Sequence, residues 1–172
     1  MLADKVSRSI NEIKMTSEKF RLPFVLGFSG GKDSTTSLSL LIKAREEGAD
    51  IKKLHVVYSD TMLEQPEMRA KAIEALESLK RFSWIEPEVL KPADGEDFIS
   101  MVLEKGYPMP SWYFRWCTDR LKIRPVKRFM RTVGKSVRVL GVRADESSAR
   151  KRSTSINGSQ RALVVKRNPE LR

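Results

Sequence analysis

Six consecutive residues carry most of the chemical information in this chain: Ser29, Gly30, Gly31, Lys32, Asp33 and Ser34. Phe24, Val25 and Leu26 before them read as a buried strand bounded by Pro23. The segment 34–47 after them reads as a helix that Gly48 stops. Strand, glycine turn, helix start: this order aims backbone N–H groups and the positive end of a helix dipole at an anion. Gly30 and Gly31 have no side chains, so phosphate oxygens can approach the main chain closely. Ser29 and Ser34 offer hydroxyl donors, and Lys32 offers a positive charge. A turn with no ligand would use the same glycines; the strand before and the helix after favour the anion site.

A Walker-type phosphate loop needs G-x-x-x-x-G-K-[ST]. Counting back from Gly31 and Lys32, its first glycine falls on Leu26, and Asp33 stands where Ser or Thr should meet magnesium. The pattern fails at both places. The residues instead spell S-G-G-x-D-S, which resembles the signature of the PP-loop superfamily. That resemblance implies ATP or a related adenine nucleotide bound in the loop. It also implies cleavage to AMP and pyrophosphate through an adenylated intermediate. Lys32 and the loop amides would then stabilise the departing pyrophosphate, magnesium would neutralise the remaining charge, and Asp33 would position the metal or the loop.

The elements that must hold this loop follow from hydrophobic periodicity. Val6, Ile10, Ile13 and Phe20 keep helical spacing in a leading helix over residues 1–20. Residues 53–58 form a second strand, apolar enough to be covered on both faces as in a parallel sheet. Pro66 opens a third helix, with Met68, Ala72, Leu76 and Leu79 on one face. Residues 84–90 predict a strand that Pro87 pushes to a sheet edge. Phe98, Val102 and Leu103 predict a short helix ended by Gly106, and 107–117 reads as loop. Val126, Phe129, Met130 and Val133 make another helical face after Pro125. Residues 137–142 predict a fourth strand and 163–165 a last short one, with a mobile basic loop over 143–161 between them. The expected fold is a single α/β domain over 1–172, an open, doubly wound, mostly parallel sheet of about five strands with helices on both faces. Ligands in such sheets bind beyond the carboxyl ends of the strands, so the polar segments 29–34, 59–64 and 141–150 should converge there.

Asp60 and Thr61, at the second strand end, read as ligands of ribose, adenine or magnesium, or else as turn residues, which they favour intrinsically. Glu64 supplies a second carboxylate, so Asp33, Asp60 and Glu64 are the candidate magnesium ligands. Cys117 lies among Arg115, Arg120, Lys122 and Arg124. It is either a thiol activated by cations or a small buried hydrophobe. It cannot complete a zinc or iron–sulfur site alone, so a cluster within one chain is not expected. His55, the only histidine, falls inside a buried strand and reads as a satisfied core residue. Gly141 and Arg143 close the fourth strand; Arg143, Arg150, Lys151, Arg152 and Arg161 could clamp phosphates. Trp112, Tyr113, Phe114 and Trp116 could stack a base.

Composition bounds the partners. Lys and Arg number 33 against 22 acidic residues, a net charge of +11 that favours a polyanion: nucleotide, pyrophosphate or nucleic acid. Heavy Lys, Arg and Glu usage equally fits a thermophile's surface. One cysteine excludes an internal disulfide and makes a cytoplasmic setting the default. No apolar run reaches membrane-span length and no signal peptide opens the chain.

Several segments together look like the phosphoadenylyl-sulfate reductase family: Gly106-Tyr107-Pro108-Met109-Pro110, Arg115-Trp116-Cys117-Thr118, Leu121-Lys122-Ile123-Arg124-Pro125, and the run from Gly141 and Arg143 to Arg150. Asp60 and Thr61 followed by Glu64 and Pro66 fit the same pattern. The similarity runs from about residue 24 to 152 and narrows to the branch containing the sulfurtransferase of bacterial DNA phosphorothioation. It implies adenine nucleotide binding, with Arg115, Lys122 and Arg150 toward the substrate phosphates and Cys117 near the crevice.

Two departures qualify the resemblance. Sulfonucleotide reductases use a cysteine in a C-terminal segment, and no cysteine follows Cys117 here; phosphorothioation enzymes carry several cysteines for a cluster. A divergent member, or one truncated at the C-terminus, is expected. Two functions remain open. One is a PP-loop enzyme that cleaves ATP or transfers sulfur in sulfur metabolism or nucleic-acid thiolation, served by a sulfur-donor protein. The other is a sulfonucleotide-binding or non-catalytic nucleotide- or DNA-binding subunit. DNA and tRNA are the candidate nucleic acids, and a homodimer is left open.

Overall fold

The computed structural model describes residues 2–141 together with 166 and 167. In chain order the elements are α1 (Leu2–Phe20), β1 (Phe24–Phe28), α2 (Lys32–Glu46), β2 (Leu54–Ser59), α3 (Pro66–Leu79), β3 (Ile85–Leu90) and α4 (Phe98–Leu103). There follow a short helix α5 (Trp116–Thr118), a π-helical turn (Asp119–Ile123), α6 (Arg124–Val133), β4 (Val137–Val139) and β5 (Lys166–Arg167). The sheet order is β3-β2-β1-β4-β5. The first four strands are parallel, and β5 runs antiparallel to β4 with Val137 opposite Arg167. The α/β architecture is therefore the expected one, and Pro87 does sit on an edge strand.

Alternation along the strands sorts side chains to two faces. Phe24, Leu26, Phe28, Leu54, Val56 and Tyr58 pack with Ile10 and Ile13 of α1, Leu38 and Leu41 of α2, and Ala72, Leu76 and Leu79 of α3. Val25 and Val57 face the other way, onto Met130 and the half-buried Val126, Phe129 and Val133 of α6. Each fully buried Leu, Ile or Phe contributes roughly 1.5–3 kcal/mol relative to exposure. Met68 is the exception on α3: it is half exposed and lies outside the core stripe expected of it.

The strand order reverses at β1. The chain leaves β1 toward β2 and β3, then returns past both to lay β4 on the opposite side of β1. The crevice at such a switch point lies at the carboxyl ends of β1 and β4.

The region from residue 116 differs from the sequence reading. Trp116 and Cys117 are helical, not loop, and the helix runs on from them to Val133 through the π-helical turn. Pro125 has no N–H to donate and would end a regular helix. Here the Arg124 N–H reaches back to the Asp119 carbonyl, five residues away, and the widened turn carries the helix past the proline. The strand expected over 163–165 and the basic loop over 143–161 lie outside the described residues. No helix among the described residues is long and apolar enough to cross a membrane.

Candidate nucleotide site

The loop after β1 is built from its own side chains. Gly30 has φ +72°, a left-handed conformation that a residue with a β-carbon adopts only under strain, and a β-carbon there would lie 3.4 Å from the Ala72 β-carbon on α3. Gly31 is the residue before the first turn of α2, in extended conformation, and has no side chain to cap that turn. The Ser34 hydroxyl donates to the Gly31 carbonyl at 2.9 Å and accepts the Ser29 N–H at 3.3 Å. Ser29 Oγ lies 3.3 Å from Ser34 Oγ and accepts the Gly31 N–H at 3.4 Å. The two serines thus brace the turn; Ser34 is buried, and its proton goes to the loop itself and not to a ligand.

The first N–H groups of a helix have no acceptor within it, and with no cap they are available to an anion. Lys32 is exposed beside them, with no ion pair to any described residue, and Asp33 is half-buried in the same first turn. Gly141 meets this turn from β4: a β-carbon there would lie 2.9 Å from the Asp33 carbonyl carbon and oxygen. The segments at the ends of β1 and β4 therefore converge, as the fold class required.

At the end of β2, Asp60 is fully buried. Arg69 of α3 grips it as a fork, with Nε 3.1 and 3.0 Å from its two oxygens and Nη2 2.8 Å from Oδ2; the Met62 N–H donates to Oδ1 at 3.1 Å. The Arg69 hydrogen bonds hold the Asp60 carboxyl below the usual carboxylate range, against burial, which pushes it up. In this structure the Asp60 carboxylate has no exposure and both its oxygens are engaged by Arg69 and the Met62 N–H, which ties the end of β2 to α3. Its grip supports Met62, a non-glycine residue at φ +60°. Thr61 Oγ1 donates to Glu64 Oε1 at 2.8 Å. Glu64 Oε2 and the Tyr58 hydroxyl are buried with no hydrogen-bond partner among the described residues, so polar capacity is left unused at this strand end. Burial, then the Glu64 and Asp60 charges, raises the Tyr58 hydroxyl above its ordinary range. Arg69 was missed from sequence; nine residues from Asp60 and on another element, it gives no local signal.

A strap over residues 107–115 follows α4, and Trp116 anchors it. Trp116 is buried, donates Nε1–H to the Pro108 carbonyl at 2.9 Å, stacks on Phe98 at 5.3 Å and meets Tyr107 edge-on at 5.5 Å. It has no free face for a base, so its stacking role is withdrawn. Trp112 and Tyr113 are 81% and 96% exposed; Phe114 stacks on Tyr107 at 6.3 Å. Arg115 lies over the Trp112 ring at 5.6 Å, and Lys122 is exposed on the π-helical turn.

Cys117 is half-buried in the first turn after the strap. The helix it opens leads into parallel strand β4, so that start belongs to the carboxyl side of the sheet. The cations around it are largely committed. Arg120 donates to Glu96 at 2.5 Å and to the Tyr107 hydroxyl at 3.4 Å, and Arg124 donates to Asp119 at 2.8 Å. Glu96, a second residue that gave no local signal, ties the strap's approach to the helix. Arg143 and Arg150 lie outside the described residues.

Residues 23–169 match the sequence profile of the phosphoadenosine phosphosulfate reductase domain, a span that includes the loop, the Asp60 turn, the strap and Gly141. The chain belongs to the phosphoadenosine phosphosulfate reductase domain family. This family falls within the PP-loop superfamily, as the S-G-G-x-D-S run led us to expect. The chain is 36% identical over 122 residues to Uncharacterized protein MJ0066 of Methanocaldococcus jannaschii, covering 71% of this chain and 22% of that one. It is 28% identical over 127 residues to Uncharacterized protein MJ0973 of the same organism, covering 74% and 27%. The chain thus spans about a quarter of the length of these relatives. Among solved structures, an NH3-dependent NAD synthetase from Campylobacter jejuni superposes with TM-score 0.53 at 14% identity, over 80% of this chain and 55% of that one. An NAD+ synthetase from Burkholderia pseudomallei gives 0.53 at 16%, over 94% and 77%. At such identities the likeness is one of fold.

Proposed function

We propose that this domain binds ATP or a closely related adenine nucleotide at the loop Ser29, Gly30, Gly31, Lys32, Asp33 and Ser34. There it cleaves the bond between the α- and β-phosphates, or transfers sulfur, in sulfur metabolism or nucleic-acid thiolation. One observation carries the reading: an uncapped helix start preceded by a left-handed glycine, beside an exposed lysine, at the switch point of a parallel sheet. The loop amides and Lys32 hold the β- and γ-phosphates and stabilise charge on the departing pyrophosphate. Magnesium bound with the nucleotide supplies the remaining charge neutralisation. Such an ion needs one or two carboxylates besides phosphates and water, and Asp33 in the first turn fits that need where Asp60 does not. Thr61 and Gly141 flank the crevice, Arg143 is the phosphate clamp expected from the sequence, and Trp112 or Tyr113 offers a face for adenine or an acceptor base.

The sulfurtransferase branch is favoured by the resemblance of the strap and helix segments around Cys117. A single cysteine supports a thiol role and no cluster within one chain. The acceptor on this reading is DNA or tRNA, the sulfur comes from a donor protein, and the setting is cytoplasmic. A net charge of +11 favours a second reading, a nucleotide- and nucleic-acid-binding subunit without catalysis or a sulfonucleotide binder. Pyrophosphate release from ATP, with and without DNA or tRNA, separates the two: release that Lys32→Gln abolishes supports the enzyme, and ATP binding with no release supports the subunit.

A further inference from the structure

We propose that His55, Glu86 and Glu88 form a binding site for a first-row divalent transition ion such as Zn2+, clasping edge strand β3 onto β2. The register places it. His55 of β2 is directly opposite Glu86 of β3, and Glu88, two residues further along, returns to the same face of the sheet. One ligand atom from each of the three residues lies within 4.8 Å of the others. One imidazole nitrogen with two carboxylate oxygens is a donor set suited to Zn2+ or Mn2+.

The imidazole is the independent observation. His55 is 6% exposed, yet its Nδ1 has no hydrogen-bond partner among the described residues. Glu86 Oε2 is 3.4 Å away, beyond the ordinary hydrogen-bond range of about 2.7–3.2 Å and without the geometry of one. A buried imidazole whose Nδ1 makes no hydrogen bond still has a nitrogen able to serve as a metal ligand. Lys53 Nζ holds Glu86 Oε1 at 2.7 Å and leaves Oε2 toward the ring, while Phe129 packs edge-on against the imidazole at 5.4 Å. The Glu86 side chain is 45% exposed and can swing to close the remaining distance to metal–ligand lengths of about 2.0–2.2 Å. Acidic residues on an edge strand also deter strand-to-strand aggregation. That role explains Glu86 and Glu88 but leaves the buried Nδ1 without a reason. The site is separate from the nucleotide crevice: His55 lies four residues before the end of β2, about 13 Å at ~3.3 Å per residue.

The test uses the full chain stripped with chelator and titrated with Zn2+ by calorimetry in the absence of nucleotide, so its outcome is independent of the PP-loop reading. We expect one saturable Zn2+ per chain and a melting temperature that rises with Zn2+. Glu88→Gln, a change at a partly exposed position that leaves the fold intact, should weaken Zn2+ at least tenfold; His55→Gln should abolish the site and Cys117→Ser should leave it unchanged. X-ray absorption should show nitrogen and oxygen neighbours only. No saturable binding, an affinity untouched by Glu88→Gln, or a sulfur ligand in the absorption spectrum would overturn the proposal.

Discussion

Gly141, just beyond the fourth strand, lies against the Asp33–Ser34 peptide so closely that a β-carbon there would stand 2.9 Å from the Asp33 carbonyl and 3.2 Å from the Ser34 nitrogen. Those atoms are backbone in the first turn of α2 and cannot swing aside as a flexible side chain does. Gly141→Ala should therefore push the turn away from β4, at a cost of about 1–3 kcal/mol. ATP affinity should fall roughly tenfold with it, or about 1.4 kcal/mol. Urea unfolding and ATP calorimetry on the same variant measure both; unchanged values would show that the turn is free to move.

Lys32→Gln removes one exposed charge and touches no packing. Losing a charge-assisted contact to phosphate costs about 1.5–3 kcal/mol, so ATP affinity should drop at least tenfold while the melting temperature holds within a degree or two. A matching loss of stability would mean that Lys32 is structural.

Acid should unfold the protein partly through two groups. The Asp60 pKa is lowered in the fold, so its contribution is complete above the unfolded value near 3.9 and is lost as pH falls through the folded one. His55 is also lowered, and its protonation favours the unfolded chain as pH drops below about 6.5. Stability of the metal-free protein should fall in two stages, and Asp60→Asn should remove the lower one. Arg69→Ala, which leaves a buried carboxylate with only the Met62 N–H, should cost about 2–3 kcal/mol at pH 7. Denaturant midpoints across pH 3–8 test the signs; a stability that rises toward low pH contradicts them.

Glu96 accepts from Arg120 and, at 3.5 Å, from Arg124, joining the segment before α4 to the helix that opens at Trp116. Glu96→Gln should cost about 1–2 kcal/mol and loosen the strap. Changed Trp fluorescence and faster proteolysis within 107–115 would report it; an unaltered digestion pattern would show that Trp116 alone holds the strap.

Neutralising Arg150, Lys151 and Arg152 together should weaken DNA or tRNA binding and flatten its salt dependence, because fewer counterions are released. Nucleotide affinity should barely change. If the unaltered protein shows no nucleic-acid binding at low salt, the charge serves small anions and the surface instead.

The sheet was readable from sequence because its signals are local. Apolar runs at 53–58 and 84–90, a proline opening α3 and a glycine pair after Leu26 each report a backbone preference within a few residues. Family membership was readable for the same reason: S-G-G-x-D-S and the segments around Arg115-Trp116-Cys117-Thr118 are contiguous strings. The helix through Pro125 was not, because a proline there normally marks a start, and only packing of Met130 against Val25 and Val57 rewards the widened turn that carries the helix across.

Side-chain roles divide along the same line. Sequence alone determined that this chain is a basic α/β domain with a phosphate-type loop after its first strand. Tertiary structure decided that Asp60 is gripped by Arg69, that Trp116 is buried with its Nε1–H given to Pro108, and that His55 Nδ1 is buried with no hydrogen-bond partner among the described residues. Asp60 and Arg69 are nine residues apart, Pro108 and Trp116 eight, and His55 and Glu86 thirty-one. Backbone propensity reaches only a turn or so along the chain, whereas hydrogen bonds and charges act across whatever distance the fold has closed.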